Sequence, residues 1–210
     1  TLQLMGAVHQ NPLNERYRLG TKLFELGNRL SLKQVLIPLV HTYLQEVAEQ
    51  ITETVQMGIL VDKKVLIIDQ VVSPLGLRLS NETGSSLPLH ATAAGKVLLA
   101  GIYPHTALLD SLKVEKFTDD TISDISILKC EMEKIKKQGF CLEKEEFERG
   151  LISLSLPVFN ERKKVIAAIS VSGPASRFKE SKLEEYIQIV KKASKNIEVE
   201  LIKLHIEEII

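Results

Sequence analysis

The period of the apolar positions changes several times along this chain. From Glu180 onward Leu183, Ile187, Val190, Ile197, Leu201 and Leu204 recur at the spacing of one face of a long amphipathic helix. Leu128, Met132 and Ile135 do the same in a shorter helix running to Lys137, with Ser123 or Asp124 as N-cap and Gly139 as the stop. Other stretches carry strand character. "ETVQMGILVD" and "KKVLIIDQVVS" are rich in β-branched residues and meet at a turn over Asp62-Lys63-Lys64. "LGLRLSNETGSSLPLH" holds a further strand and a turn at Gly84. "FCLEKEEF", "ISLSLPVFN" and "KVIAAISVSG" form a late block of strands, with Asn160-Glu161-Arg162 as a hairpin turn.

The beginning of the chain is built from smaller pieces. Residues 1–5 read as a helix end, Gly6 as its C′ residue, and "AVHQ" and "RYRL" as short strands joined by "NPLNE". A helix follows over Thr21–Arg29, weakened by Gly27 at about 1 kcal/mol relative to Ala. Ser31 with Gln34 matches a capping box that restarts helix toward Ile51, with Pro38 predicting a kink or a fresh start. A short helix is expected around Thr106–Leu112. The sum is an α+β fold, a mostly antiparallel sheet with helices packed against it.

One stretch stands apart. "LPLHATAAGKVLLA" (Leu87–Ala100) ends like a phosphate-binding loop, but His90 stands where the first Gly belongs and Val97 where a hydroxyl is required. Nucleoside triphosphate chemistry is therefore not expected there. What remains is a helix beginning after an N-cap at Thr92, with small side chains at its mouth. On its own it reads as a tightly packed helix start, and its first N–H groups could also receive an anion.

Composition narrows the function classes. The chain has 210 residues, 44% hydrophobic and 26% charged, enough for one well-filled core. Lys plus Arg and Asp plus Glu balance at 27 each, so no basic field exists to grip nucleic acid by charge alone. Cys130 and Cys141 are too few for a disulfide framework and too far apart for a CxxC site, and fit a reducing cytoplasm. No apolar run is long enough to span a membrane, and no signal-peptide pattern opens the chain. Its start at Thr1 suggests a fragment.

Catalytic constellations are weak. His9, His41, His90, His105 and His205 are scattered, with no metal-binding pair among them. Ser126 and Lys129 match SxxK without the partner motifs of that enzyme class. The run Glu143 to Glu146, with Glu148, reads as a solvated strand end. No catalytic residue, metal site or cofactor is predicted. A better signal is Ser170 and Ser172, two apart in a strand and so on one face, echoed by Ser153 and Ser155 on a neighbouring strand. Hydroxyls in apolar strands need partners; either a small polar pocket or cross-strand pairing would supply them.

Several segments together resemble one family. "GAVHQNPLNERYRLG", "LGNRL", "LPLHATAAGKVLLA", "GFCLEKEEFERGLISLSLPV" and "AAISVSGPASRF" occur in the order seen in the IclR family of bacterial transcription regulators. The resemblance implies a winged helix-turn-helix remnant over 1–20, a linker helix over 21–32, and a GAF-like effector-binding domain over 33–210. The helices that enter the DNA major groove would be mostly missing. It further implies a small-molecule effector, a small carboxylate or sugar acid, bound by the N–H groups of Ala93 and Ala94 and by Glu143, Ser153, Ser170 and Ser172. Family members often have Gly at the first of these positions, Asp at the third and Cys at the fourth. A cytoplasmic repressor acting as a homodimer or homotetramer on operator DNA, and not an enzyme, is the expectation. The alternatives are a ligand-free dimerisation module, or an enzyme acting on a small acid.

Overall fold

The computed structural model describes residues 1–29, 36–79, 82–105 and 107–209. These form two units, 1–39 and 40–210. The Ser31–Gln34 capping box, Leu30 and Thr106 lie outside the described residues.

In the first unit, residues 1–5 form consecutive turns that close in the manner of a helix end. Ala7 N–H donates to Leu2 O at 3.0 Å and Gly6 N–H to Gln3 O at 3.0 Å, with Gly6 at φ +69°. This is the double closure that needs a left-handed residue at C′. The short strands β1 (Val8–Gln10) and β2 (Tyr17–Leu19) pair antiparallel, and α1 (Thr21–Arg29) follows.

The second unit is a six-stranded sheet, every pairing in it antiparallel. Its strands are β3 (Thr54–Val61), β4 (Lys64–Val71), β5 (Ser86–Pro88), β6 (Cys141–Lys144), β7 (Leu151–Phe159) and β8 (Val165–Pro174), in the order β5-β4-β3-β8-β7-β6. The helices are α2 (Ile37–Ile51), α3 (Ala93–Ile102), α4 (Ile125–Gln138) and α5 (Leu183–Lys203). Pro38 sits at the second position of α2, so it marks a fresh start and not a kink. Three local expectations change. The β3–β4 turn is Asp62-Lys63 alone, both at positive φ, and Lys64 already belongs to β4. The β7–β8 turn extends beyond Arg162, closed by Asn160 N–H on Lys164 O at 2.9 Å. The helix expected near Thr106–Leu112 is a single 3-10 turn, Leu109–Ser111.

Side-chain alternation assigns the two faces. Val65, Ile67, Cys141 and Ala168 join Val97, Leu98, Leu128 and Met132 in a core between the sheet and α3 and α4. On the opposite face Ser194 of α5 donates through Oγ to Pro157 O at 2.6 Å, and Leu156, Phe159 and Ile187 line a groove beside that contact. Ile68 has no partner across the β3–β4 pair, so alternation reverses at that bulge. Ile67 therefore faces α3, while Asp69 turns to the other face and meets His41 of α2 at 3.1 Å.

Close approach at the start of α3 sets its place. A Cβ on Gly95 would lie 2.3 Å from Leu89 O and 2.5 Å from Leu89 Cα. In an open helix Gly→Ala stabilises by about 1 kcal/mol. Here backbone atoms are in the way, and overpacking of about 2–3 kcal/mol decides the sign. Gly95→Ala is expected to lower the thermal midpoint by about 2–8 °C, read by circular dichroism; a midpoint equal to or above wild type would refute the close-packing argument.

Candidate functional site

Helix α3 begins with its hydrogen-bond donors partly satisfied. Thr92 is extended (φ −112°, ψ 148°) and its Oγ1 accepts from Gly95 N–H at 3.2 Å while donating to Pro88 O at 2.7 Å. Lys96 N–H is taken by Thr92 O at 3.0 Å. Among the described residues no acceptor meets the N–H of Ala93 or Ala94, so the helix mouth offers two donors and the positive end of its dipole.

Those donors border a cavity of about 20 Å³, lined among others by Thr92, Ala93, Ala94, Glu143, Ser153, Ser170 and Ser172. All six residues singled out in the sequence thus meet at one place, from α3, β6, β7 and β8. The β7–β8 register sets Ser153 opposite Ser172 and Ser155 opposite Ser170. The hydroxyls pair across the strands, Ser172 to Ser153 at 2.9 Å and Ser170 to Ser155 at 3.0 Å, and Ser155 passes its own proton to Ile169 O at 3.0 Å. The two readings of this ladder therefore coexist: the serines satisfy one another, and three of the four also line the cavity. Ser155 lies behind them. The cavity has room for about one water molecule.

Lys144 and Glu148 of the acidic run are exposed as a solvated strand end requires, but Glu143 and Glu146 are not. Glu143 is 1% exposed and Glu146 is also buried. Glu143 Oε1 accepts from Glu146 N–H at 2.5 Å and Phe147 N–H at 3.2 Å. Burial pushes the Glu143 carboxyl up to about 7, against the pull of these two N–H groups. Glu146 forms an ion pair with Lys96, itself 1% exposed, so the lysine of the "AAGK" stretch is engaged behind the cavity and not offered to it. Burial likewise raises the Cys141 thiol to about 12, leaving it inert.

Other groups here escaped the sequence reading. Gln56, Leu79, Leu87 and Phe147 complete the cavity wall, and Gln56 Nε2 donates to Gln70 Oε1 at 3.1 Å. Arg177 grips the buried Glu53 carboxylate through Nε at 2.5 Å and Nη2 at 2.7 Å, and Nη2 also donates to Leu77 O at 2.8 Å. That clamp holds the segment carrying Leu79 against the start of β3. The one available signal was the Arg within "SGPASRF"; its partner lies 124 residues away. Among the described residues no group of three or more His, Cys, Asp or Glu could hold a metal ion, and no helix is long and apolar enough to cross a membrane.

The raised Glu143 carboxyl has a consequence for stability. Its folded value of about 7 lies above the ordinary 4.5, so the native state binds the proton more tightly than the unfolded chain does. Stability is full below pH 4.5 and is lost as pH rises to about 7, by on the order of 3 kcal/mol at 1.36 kcal/mol per pH unit. Urea unfolding of wild type and Glu143→Gln at pH 5 and pH 8 reads this out. The variant should lose markedly less stability between the two pH values; equal losses would refute it.

Comparison with known proteins places this geometry in context. The family described as bacterial transcriptional regulator IclR, C-terminal, matches residues 31–199. The chain is 32% identical over 203 residues to the HTH-type transcriptional regulator KdgR of Escherichia coli, covering 96% of this chain and 77% of that one. It is 33% identical over 201 residues to the transcriptional repressor IclR of the same organism, covering 94% and 73%. The crystal structure of the Thermotoga maritima IclR superposes with a TM-score of 0.78 at 29% identity, over 95% of this chain and 81% of that one.

Proposed function

We propose that this chain, which belongs to the IclR family of bacterial transcriptional regulators, senses its effector in the cavity at the N-terminus of α3. Proteins of this family are effector-responsive, DNA-binding regulators of transcription, and this chain is one of them. The convergence of Ala93, Ala94, Glu143, Ser153, Ser170 and Ser172 on a single buried cavity carries the reading. The effector is a small carboxylate or sugar acid. Its carboxylate takes the Ala93 and Ala94 N–H groups, and its remaining oxygens take the hydroxyls of Ser153, Ser170 and Ser172. Glu143 lies beside them, and with its carboxyl raised to about 7 it can carry a proton and donate to the ligand instead of repelling it.

Size gives the mechanism. Even a small keto acid has several times the volume of one water, so it must spread walls that now enclose about 20 Å³. Phe147, on the loop after β6, and Leu79, on the segment clamped by Arg177, are the side chains that must move. Effector binding is thereby tied to one of two arrangements, the requirement for shifting a population. We further read the chain as a cytoplasmic homodimer or homotetramer that acts on operator DNA, with 1–20 as a winged helix-turn-helix remnant (the end of the recognition helix and the wing), 21–32 as linker helix and 33–210 as sensor. The cavity offers ligand-gripping groups without an activated nucleophile, which supports a sensor over an enzyme.

A thermal-shift screen with pyruvate, glyoxylate and sugar acids such as gluconate should find at least one that raises the midpoint, because it binds only the native state. Ser170→Ala with Ser172→Ala should weaken that acid roughly 10- to 100-fold at about 1 kcal/mol or more per lost hydrogen bond, with the circular dichroism spectrum unchanged. Unaltered affinity by calorimetry would sink the site.

A further inference from the structure

A second cavity, of about 510 Å³, lies at the other end of α3. We propose that it is a small-molecule site distinct from the effector cavity, and that it takes an apolar α-amino acid. The floor is aliphatic, made by Ile59, Leu98, Ile102, Val165 and Ile209. The helix and strand that form it are in close contact, since a Cβ on Gly101 would lie 2.5 Å from Val165 Cβ. One wall is the chain after α5, and that wall is pinned. Asn160 Nδ2 donates to Glu207 O at 2.8 Å, Arg162 pairs with the Glu207 carboxylate at 2.8 Å, and Ile206 N–H donates to Leu201 O at 2.9 Å. Its volume lies within the usual 300–1,000 Å³ range of ligand pockets.

The rim chooses the ligand. Lys164, His105 and Glu208 line the same cavity and are exposed. Among the described residues none of the three side chains makes an ion pair or hydrogen bond, with each other or elsewhere. A lysine and an imidazole beside a carboxylate, over an aliphatic floor, are the complement of a zwitterion with an apolar body. The α-carboxylate takes Lys164 and His105, the α-ammonium takes Glu208, and the side chain lies on the floor. A simple fatty acid would set its carboxylate near Glu208 with nothing to satisfy that residue. This assignment does not rest on the effector cavity, because the two sites share elements but no lining residue.

Isothermal titration calorimetry on the chain with L-leucine and L-phenylalanine, beside 4-methylpentanoate and isopentylamine, tests the proposal. At least one amino acid should bind saturably with a Kd on the order of 1 mM or tighter. The analogues lacking the ammonium or the carboxylate should bind about tenfold more weakly or not at all. Glu208→Gln and Lys164→Met, both at exposed positions, should each weaken the amino acid about tenfold. Ser170→Ala with Ser172→Ala should leave it unchanged. The proposal is overturned if neither amino acid binds, if either analogue binds as well, or if the rim variants have no effect. Loss of binding in the serine variant would also overturn it, by assigning the ligand to the effector cavity.

Discussion

A lysine ammonium taken out of water persists only where a carboxylate meets it, and in this fold that requirement falls on Lys96 and Glu146. Lys96 stands on the second turn of α3, and Glu146 follows the end of β6 by two residues. The pair fixes how far the helix stands from the strand. Glu146 is itself held, since its Oε2 accepts from Ile122 N–H at 3.3 Å and its carbonyl from Thr121 Oγ1 at 2.6 Å. A buried ion pair of this kind contributes little net stability, because desolvation offsets most of the attraction. What it contributes is a single permitted arrangement. The same loop supplies the two N–H groups on Glu143 and the Phe147 ring, so the depth and width of the cavity at the mouth of α3 follow from where Glu146 is anchored.

Aromatic contacts extend that anchor outward. Phe147 meets Phe117 edge-on with centroids 5.2 Å apart, and Phe117 stacks on His90 at 5.7 Å. His90 precedes the Thr92 cap by two residues, and its ring Nε2 lies 2.8 Å from Glu115 O and 3.2 Å from Glu115 N, which ties the ring to that residue. The loop over the cavity, the segment 115–122 and the approach to α3 are therefore one connected body. Displacing Phe147 to admit a ligand cannot be a local event, because its ring leans on a residue tied back to the helix whose mouth receives that ligand.

What was legible in the sequence was local. Thr92, Asp124 and Gly139 cap their helices as read, because a cap is a bargain between a side chain and N–H or C=O groups at most a few residues away. The serine ladder was legible because strands alternate with a period of two, and the short β7–β8 turn fixes which serines face each other. What was not legible depends on partners far along the chain. Nothing near Glu143 and Glu146 indicates that a lysine 50 residues upstream will neutralise one of them, so the run reads as solvated charge. The bulge at Ile68, which sends Asp69 to His41, breaks the very period on which face assignment relies. Ser153, Ser170 and Ser172 were legible from strand alternation, and the family pattern added Ala93, Ala94 and Glu143; the walls made by Gln56, Leu79 and Phe147 carry no motif of their own.

The two cavities differ in a way that follows from α3. At its first turn Gly95 lets the helix come within contact of the Leu89 backbone, and at its end Gly101 lets the Val165 side chain close on it. The helix is about 15 Å long at 1.5 Å per residue, and it is wedged at both ends with little slack. Close-packed interiors deform between discrete arrangements more readily than they stretch continuously. A ligand that merely filled a roomy pocket would favour neither arrangement. To move a regulator from 1:99 to 99:1 it must discriminate by about 5.5 kcal/mol. Under the proposed site, a cavity that holds one water and must be opened by its ligand would make that discrimination large, because contacts to Ala93, Ala94 and the serines would form together only after the walls had parted. In the proposed sensor, the tight mouth of α3 is the feature that would turn binding of a small acid into a change of state.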